Sequence, residues 1–316
     1  MDYTYTIIIP HHNIPILLKR CLSSIPQRDD TQIIVVDDAS NSEYTEELKN
    51  LEKEYRYVEF LYQDKSGGGG MARNIGVKYA KGEFVLFADA DDFFTPCFNQ
   101  VLDDYKDNDS DIVFFNALSL KEEEYMPTDR ADHLNNMHRL YISNPQRAIL
   151  HFKYSFGEPW CKMIRKSIID KNKILFQETN IHNDTQFSYL VGHYSSAVKV
   201  DSRAIYCYMI RKNSVSVTDS DERYLTRVKV FAQKNKFLLE NNIPFYDEHY
   251  MSSFVHFKQI GDEKKYNECI QILLEYGLSV KPIKCYLLKE KIKSYFPLII
   301  KWFRLFKLVK ANYNLV

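Results

Sequence analysis

A doubly wound α/β fold with a mostly parallel central sheet, continued by an α-helical C-terminal extension, is predicted by three features of this sequence. Through residues 1–116, apolar runs of strand length alternate with stretches of helical spacing. Two of those runs stop abruptly in acid, at Asp37-Asp38 and at Asp89-Ala90-Asp91-Asp92. Beyond residue 220 only helical periodicity remains. Strands and helices alternating at such short intervals are crossover units on a parallel sheet. Ligands of open sheets of this kind bind beyond the carboxyl ends of the strands.

Residues 6–10, nearly all β-branched, form the first strand. Ile14, Leu17, Leu18, Cys21, Leu22 and Ile25 then keep the i, i+3, i+4, i+7 spacing of an amphipathic helix, with Asn13 near its cap. Residues 32–36 are a second buried strand, 43–55 a polar helix and 58–61 a third strand. Ser66 and the glycines 67–70 open a helix over 71–79, and 84–88 is the strand that ends in three acids. Residues 111–116 make a fifth strand. The stretch 117–144 is polar and resists assignment, with Lys121-Glu122-Glu123-Glu124 reading as a solvated loop. Helical spacing returns at 147–152, 158–164 is strand or loop, a helix starts at Asp184, and 204–209 alternates as a strand. Helices over 224–239, 245–258 and 262–276 follow.

The acids and glycines are where chemistry can reside. Asp89 and Asp91 stand two apart, so a regular strand aims both the same way and a turn lets them converge. Converging hard oxygens suit Mg²⁺ or Mn²⁺, which in turn hold phosphate; a solvated acidic turn would use the same residues. A carboxylate beyond the second strand can accept the imide N–H of uracil or a ribose hydroxyl. A glycine-rich helix entrance admits phosphate to backbone N–H groups and the helix dipole, although a flexible connector is also glycine-rich. Arg73 and Asn74, in the first turn of that helix, add a fixed cation and an amide donor. GxxxxGK[ST] and GxGxxG are both absent, which excludes a P-loop and a dinucleotide fingerprint.

The 42 Lys and Arg balance 42 Asp and Glu, so no global field announces a nucleic-acid partner. That balance hides a basic tail. Between Lys281 and Lys310, nine Lys or Arg stand against one Glu. There Leu298, Ile299, Trp302, Leu305, Phe306 and Val309 share a helical face opposite Lys301, Arg304, Lys307 and Lys310, although Ile300, Phe303 and Leu308 break the division. Such a helix suits an anionic membrane surface or packs on protein. The 6 cysteines are dispersed without CxxC, against a zinc or disulfide framework. No signal peptide is visible, and no apolar run approaches the roughly 20 residues of a bilayer span. The expected location is cytoplasmic, peripheral at the inner face of the membrane if the tail binds lipid.

Taken together, Ile9-Pro10-His11-His12-Asn13, Val35-Val36-Asp37-Asp38-Ala39-Ser40, Ala72-Arg73-Asn74-Ile75-Gly76, Gly82-Glu83-Phe84 and Asp89-Ala90-Asp91 resemble, in order and spacing, the nucleotide-sugar-dependent glycosyltransferases of family 2, with their Rossmann-like GT-A fold. The resemblance implies that Asp38 reads the uracil ring, with the Pro10-His11 segment beneath the base, although the family more often has Tyr at the position of His11. It implies that Arg73 lies near base and pyrophosphate, that Asp89 contacts the ribose, and that Asp91 binds the metal bridging two phosphates. Pro159-Trp160-Cys161-Lys162 resembles the family's Trp-x-Lys segment, which puts Trp160 and Lys162 beside the acceptor; a core position accounts for Trp160 equally. Ile181-His182-Asn183-Asp184 resembles the Glu-Asp motif of the catalytic base, with Asn183 replacing Glu and Asp184 retained; a plain helix N-cap also explains Asp184. Arg211, Asn213 and Ser214 fall in a segment that resembles the family's basic loop, which implies that it can close over the pyrophosphate. No metal-binding His stands there, as it does in some members.

The expectation is an inverting, Mg²⁺- or Mn²⁺-dependent transferase. It moves a sugar from a nucleoside diphosphate, UDP foremost, to a hydroxyl of a glycan or lipid-linked acceptor in surface or capsular polysaccharide synthesis. Residues 1–116 would hold the nucleotide-sugar, 117–220 the acceptor and the base, and 221–316 a helical region with its basic tail. The competing classes are a non-catalytic nucleotide-binding or membrane scaffold protein and a sugar-phosphate nucleotidyltransferase. The latter wants a Lys- and Arg-containing glycine loop after the first strand, and residues 10–15 have none.

Overall fold

The structure, a computed structural model, describes residues 3–179, 181–211, 220–283 and 286–288. The chain divides into two compact units, Met1–Ser220 and Asp221–Val316. In the first, the strands are β1 (Tyr5–His11), β2 (Thr31–Asp37), β3 (Val58–Tyr62), β4 (Phe84–Phe87), β5 (Phe93–Phe94), β6 (Ile112–Lys121), β7 (Met126–Pro127), β8 (Lys162–Arg165) and β9 (Val198–Ile210). Its helices are α1 (Pro15–Ser23), α2 (Thr45–Glu54), α3 (Gly68–Tyr79), α4 (Phe98–Asp104), α5 (Asp132–Ser143), α6 (Pro145–Tyr154), α7 (Lys166–Asn172) and α8 (Asn183–Tyr194).

The strands form one sheet in the order β3-β2-β1-β4-β8-β6-β9-β5, with β7 on β6. β3, β2, β1 and β4 run parallel. Covered on both faces, β2 and β4 are buried at every residue, which is why they read as unbroken apolar runs. The second half departs from simple alternation. β8 enters antiparallel between β4 and β6, and β9 then runs parallel to β6 with a register shift at Asn116.

Several local expectations need correction. β6 extends to Lys121, five residues beyond the strand expected at 111–116. α5 occupies part of the stretch that resisted assignment; its buried stripe is Leu134, Met137 and His138, and a histidine in the core dilutes the apolar pattern. Asn13 does not cap α1. Ile14 holds that place with Pro15 behind it, while Asn13 takes a left-handed φ of 58° and accepts from the Asn41 N–H at 2.7 Å.

α3 lies so close to its neighbours that two glycines have no room for a side chain. A Cβ on Gly76 would stand 2.3 Å from Ile8 Cγ2, and one on Gly70 would stand 2.3 Å from the Gln177 carbonyl oxygen. Gly70 thereby brings the start of α3 against the segment leading into α8. This close approach places Arg73 and Asn183 within hydrogen-bond reach.

The second unit packs α9 (Asp221–Glu240), α10 (Met251–Gln259) and α11 (Glu263–Glu275) around Phe231, Tyr250, Phe254, Phe257 and Leu273. α10 begins six residues later than the spacing at 245 suggested. The Lys234 ammonium pairs there with Asp247, whose backbone is bound by the Asn235 amide, and this holds the incoming segment outside the helix. Of the tail expected over 281–310, only 281–283 and 286–288 are described. No helix among the described residues is long and apolar enough to cross a membrane. The described cysteines are all free.

Candidate active site

Two strand tips and two helix entrances meet at the carboxyl edge of the parallel strands. β4 ends at Phe87, and its backbone turns at once, Asp92 N–H donating to the Asp89 carbonyl at 3.1 Å. The turn sends the three acids to different partners. Asp89 accepts from Arg73 Nη2 at 2.5 Å, and Asp91 accepts from Arg211 Nε at 2.8 Å. Asp92 is buried and takes the Tyr206 hydroxyl at 2.8 Å and the Met209 N–H at 2.7 Å, which ties the turn to β9. Burial, with Asp91 and Asp89 beside it, raises the Asp92 carboxyl well above its ordinary range. Burial also raises Asp91, with Asp89 adding and Arg211 opposing.

The tip of β2 is saturated. Asp38 accepts from Gln63 Nε2 at 3.0 Å, Ser66 Oγ at 2.7 Å, Gly67 N–H at 2.7 Å and Gly68 N–H at 2.8 Å. The first amides of the glycine-rich entrance are therefore satisfied by a carboxylate of the protein itself, an anion at a helix N-terminus. Nucleotide binding at Asp38 requires one of these donors to leave, and the Ser66 and Gln63 side chains are the two that can swing away.

His11 does not offer its ring to a base. The side chain has no exposed surface: Nδ1 faces Asp37 at 2.7 Å, and Nε2 accepts from the Ile14 N–H at 3.1 Å. It pins the tip of β1 to that of β2. Pro10 remains partly exposed beside it, and His12 is the exposed ring at this rim, with Nδ1 2.9 Å from the Asp38 carbonyl.

Arg73 is buried between the acids and the start of α8. Its Nη1 donates to Asn183 Oδ1 at 3.2 Å, and its guanidinium lies 5.5 Å from the Phe176 ring centroid. Asn183, which stands where the motif has Glu, thus holds Arg73. Asp184 lies in the first turn of α8 and does not cap it, because His182 takes the cap position at a φ of 54°. Burial pushes the Asp184 carboxyl up to about 6, Glu158 and Asp89 add to the rise, and Arg73 and Lys162 oppose it.

Trp160 and Lys162 are both buried. Trp160 is 5% exposed and stacks on Tyr206 at 5.1 Å and on Tyr208 at 5.9 Å. The Lys162 ammonium is buried and donates to the Phe156 and Glu158 carbonyls and to Ser188 Oγ, at 2.7, 2.6 and 2.9 Å. Neither has a surface to give an acceptor. Partly exposed side chains lie on that side instead: Tyr208 beneath the Arg130 guanidinium at 5.6 Å, and Glu158 paired with His133 at 2.9 Å. Nothing local in sequence marks them. Arg211 is described; Asn213 and Ser214 lie outside the described residues.

The family model described as "Glycosyl transferase family 2" matches residues 6–172, more than half of the chain. The chain belongs to glycosyl transferase family 2. Relatives include the putative glycosyltransferase EpsH of Bacillus subtilis, 23% identical over 75% of this chain and 70% of that protein. Another is the poly(ribitol-phosphate) beta-glucosyltransferase of Bacillus spizizenii, 28% identical over 64% of this chain but only 31% of that protein. Among solved structures, Staphylococcus aureus TarS 1-349 in complex with UDP-GlcNAc superposes with a TM-score of 0.58 at 18% identity, covering 88% of this chain and 93% of that one. The Pyrobaculum calidifontis mannosyltransferase PcManGT, in complex with GDP-Man and Mn2+, gives 0.56 at 14% identity, covering 96% and 83%. The mixed α/β sheet is thus the GT-A fold, and the protein is a glycosyltransferase.

For a family 2 glycosyltransferase the donor set at the acid turn is sparse. Among the described residues, no three His, Cys, Asp or Glu side chains converge. Mg²⁺ and Mn²⁺ are commonly held by one or two carboxylates plus substrate phosphates and water. Asp91, paired with Arg211 while Asp89 pairs with Arg73, is a carboxylate that would fit that role as a single protein ligand.

Proposed function

We propose that this glycosyltransferase moves a sugar from UDP to a hydroxyl of a glycan or lipid-linked acceptor, inverting the anomeric centre, with Asp184 as general base. One observation carries the reading. A carboxylate raised to about 6 stands at the mouth of α8, not spent on capping, beside Arg73 and Asp89 of the donor edge. In the reaction the acceptor oxygen attacks the anomeric carbon opposite the diphosphate and gives its proton to Asp184. The bond from that carbon to the phosphate oxygen breaks, and the electron pair leaves with the nucleoside diphosphate. Arg73 and Arg211 supply fixed positive charge where the leaving group becomes more negative. Asp91 would hold Mg²⁺ or Mn²⁺, which would supply Lewis-acid neutralisation of the same charge.

Asp38 and the His12 ring are assigned to the base, with Pro10 beneath it and Asp89 toward the ribose. The Tyr208, Arg130, His133 and Glu158 side is assigned to the acceptor. Relatives named for poly(ribitol-phosphate) support a polyol-phosphate or similar hydroxyl-rich polymer as acceptor class. The basic pattern over 281–310 supports proximity to an anionic membrane, which flotation with anionic liposomes tests.

The deciding experiment is Asp184→Asn. Transfer from a UDP-sugar should fall by about 10³-fold while UDP affinity stays near that of the parent. Equal loss of UDP affinity would refute the role of base.

A further inference from the structure

The acid turn is held by more than the arginine on its side chain. Arg20, in the last turn of α1, donates through Nη2 to the backbone carbonyl of Asp91 and through Nη1 to Glu122 Oε1 at 2.9 Å. Its guanidinium also lies 5.8 Å from the Phe93 ring. Glu122 is fixed in turn, because its N–H donates to the Ile210 carbonyl at 2.9 Å. Ile210 precedes Arg211, whose Nε grips the Asp91 carboxylate at 2.8 Å. The path therefore closes on itself: Asp91 side chain, Arg211, the end of β9, the end of β6, Glu122, Arg20, and back to the Asp91 backbone.

We infer that Arg20 and Glu122 are positioning residues for Asp91, setting where its carboxylate stands relative to Arg211 and so to a metal-bound diphosphate. Ordinary fold maintenance accounts poorly for the pair. Arg20 Nε and Glu122 Oε2 are both buried without a hydrogen-bond partner among the described residues. An ion pair whose side chains are about a quarter exposed, and which leaves a buried donor and a buried acceptor unmet, gains little stability. What the pair does provide is direction. When Asp91 exchanges Arg211 for another cation, its side chain loses one tether, and the Arg20 bond to its carbonyl keeps the backbone from following. Groups that orient a ligand without touching the ion commonly govern affinity by about 10–100-fold.

This rests on the reading of Asp91 given above, and the test separates the two. UDP binding is titrated calorimetrically with Mn²⁺ and with EDTA, free Mn²⁺ binding is followed by its electron paramagnetic resonance signal, and unliganded thermal stability is recorded. The variants are Arg20→Met, Arg20→Lys, Glu122→Gln and the Arg20→Met/Glu122→Gln double, with Asp91→Ala as reference. Glu122→Gln, which keeps shape and one acceptor, and Arg20→Lys guard against misfolding of Arg20→Met. Positioning predicts that Glu122→Gln and Arg20→Met weaken Mn²⁺-dependent UDP affinity by about 10-fold and leave affinity in EDTA unchanged. Arg20→Lys, able to reach one of the two oxygens, falls between. The double variant should be no worse than the more damaging single, as for residues acting through one contact. If Asp91→Ala abolishes the Mn²⁺ dependence while Glu122→Gln and Arg20→Lys retain all of it, the inference is overturned and the reading of Asp91 stands. Losses that appear equally in EDTA and track thermal stability overturn it too. If Asp91→Ala changes nothing, both fall together.

Discussion

The Arg73 guanidinium bridges Asp89 on the acid turn, at 2.5 Å, and Asn183 at the start of α8, at 3.2 Å, so one side chain links the proposed donor edge to the helix of the proposed base. The bridge uses two different nitrogens in a planar fork, which an ammonium cannot reproduce. Arg73→Lys should weaken UDP binding by about 10-fold or more, the loss of one charge-assisted hydrogen bond. It should also slow transfer further, because Asn183 loses its donor. Calorimetric titration and initial rates separate the two effects. A lysine variant indistinguishable from the parent in both would remove the bridge from the mechanism.

Asp184 connects activity and stability through its charge. Its carboxyl rises from the ordinary 3.8 to about 6 in the fold. A carboxyl raised on folding stabilises fully below its unfolded pKa, and that contribution is lost as pH rises through about 6. At neutral pH the ionised form therefore costs stability, by about 3 kcal/mol. Asp184→Asn should raise the Tm at pH 7.5 by about 6–12 °C while transfer falls by about 10³-fold, and the gain should vanish near pH 4. In the parent, kcat/KM should climb through about pH 6 to a plateau, since only the ionised carboxylate accepts a proton. A flat profile between pH 5 and 8 would contradict this.

Arg211 pairs with the carboxylate proposed to hold a divalent cation, so in that reading the two compete for Asp91. Removing Arg211 should free Asp91 for the ion and at the same time take a cation from the diphosphate. Arg211→Met is thus expected to tighten Mn²⁺ binding in the absence of nucleotide and to weaken Mn²⁺-dependent UDP binding by about 10-fold. Opposite signs in the two titrations are the signature. Weakening of both would mean that Arg211 only maintains the shape of the turn.

The fold was largely legible because β2 and β4 are buried on both faces and so appear as uninterrupted apolar runs ending in acid. The antiparallel entry of β8 between β4 and β6 was not, because a four-residue strand has too little periodicity to announce its direction. Asp89, Asp91, Arg73 and Asp184 could be named from motifs. Motifs do not say which way a side chain faces, and the structure turns two of the named side chains inward. His11 turns inward to Asp37 while the next residue takes the exposed place. Trp160 is enclosed by Tyr206 and Tyr208, more than forty residues away in the chain. Arg20 finds Glu122 across 102 residues, from a stretch that composition alone marks as solvated.

Lys162 offers the sharpest choice between a binding and a structural role. All three ammonium protons are spent inside the protein, on the carbonyls of Phe156 and Glu158 and on Ser188 of α8, and the Phe156 ring centroid lies 4.5 Å away. Ser188 in turn donates to the Gly157 carbonyl at 2.5 Å, so the lysine closes the 156–158 turn onto the helix that carries Asp184. Lys162→Met fills the same space but leaves two carbonyls without a donor, at a cost of about 3 kcal/mol. The Tm should drop by about 6–12 °C. The loss of rate should fall on kcat, because Asp184 is no longer aimed, and acceptor KM should hardly change. If Lys162 instead gripped the acceptor, the same variant would raise acceptor KM and leave the Tm where it was. Melting curves and acceptor saturation curves on one preparation decide between them.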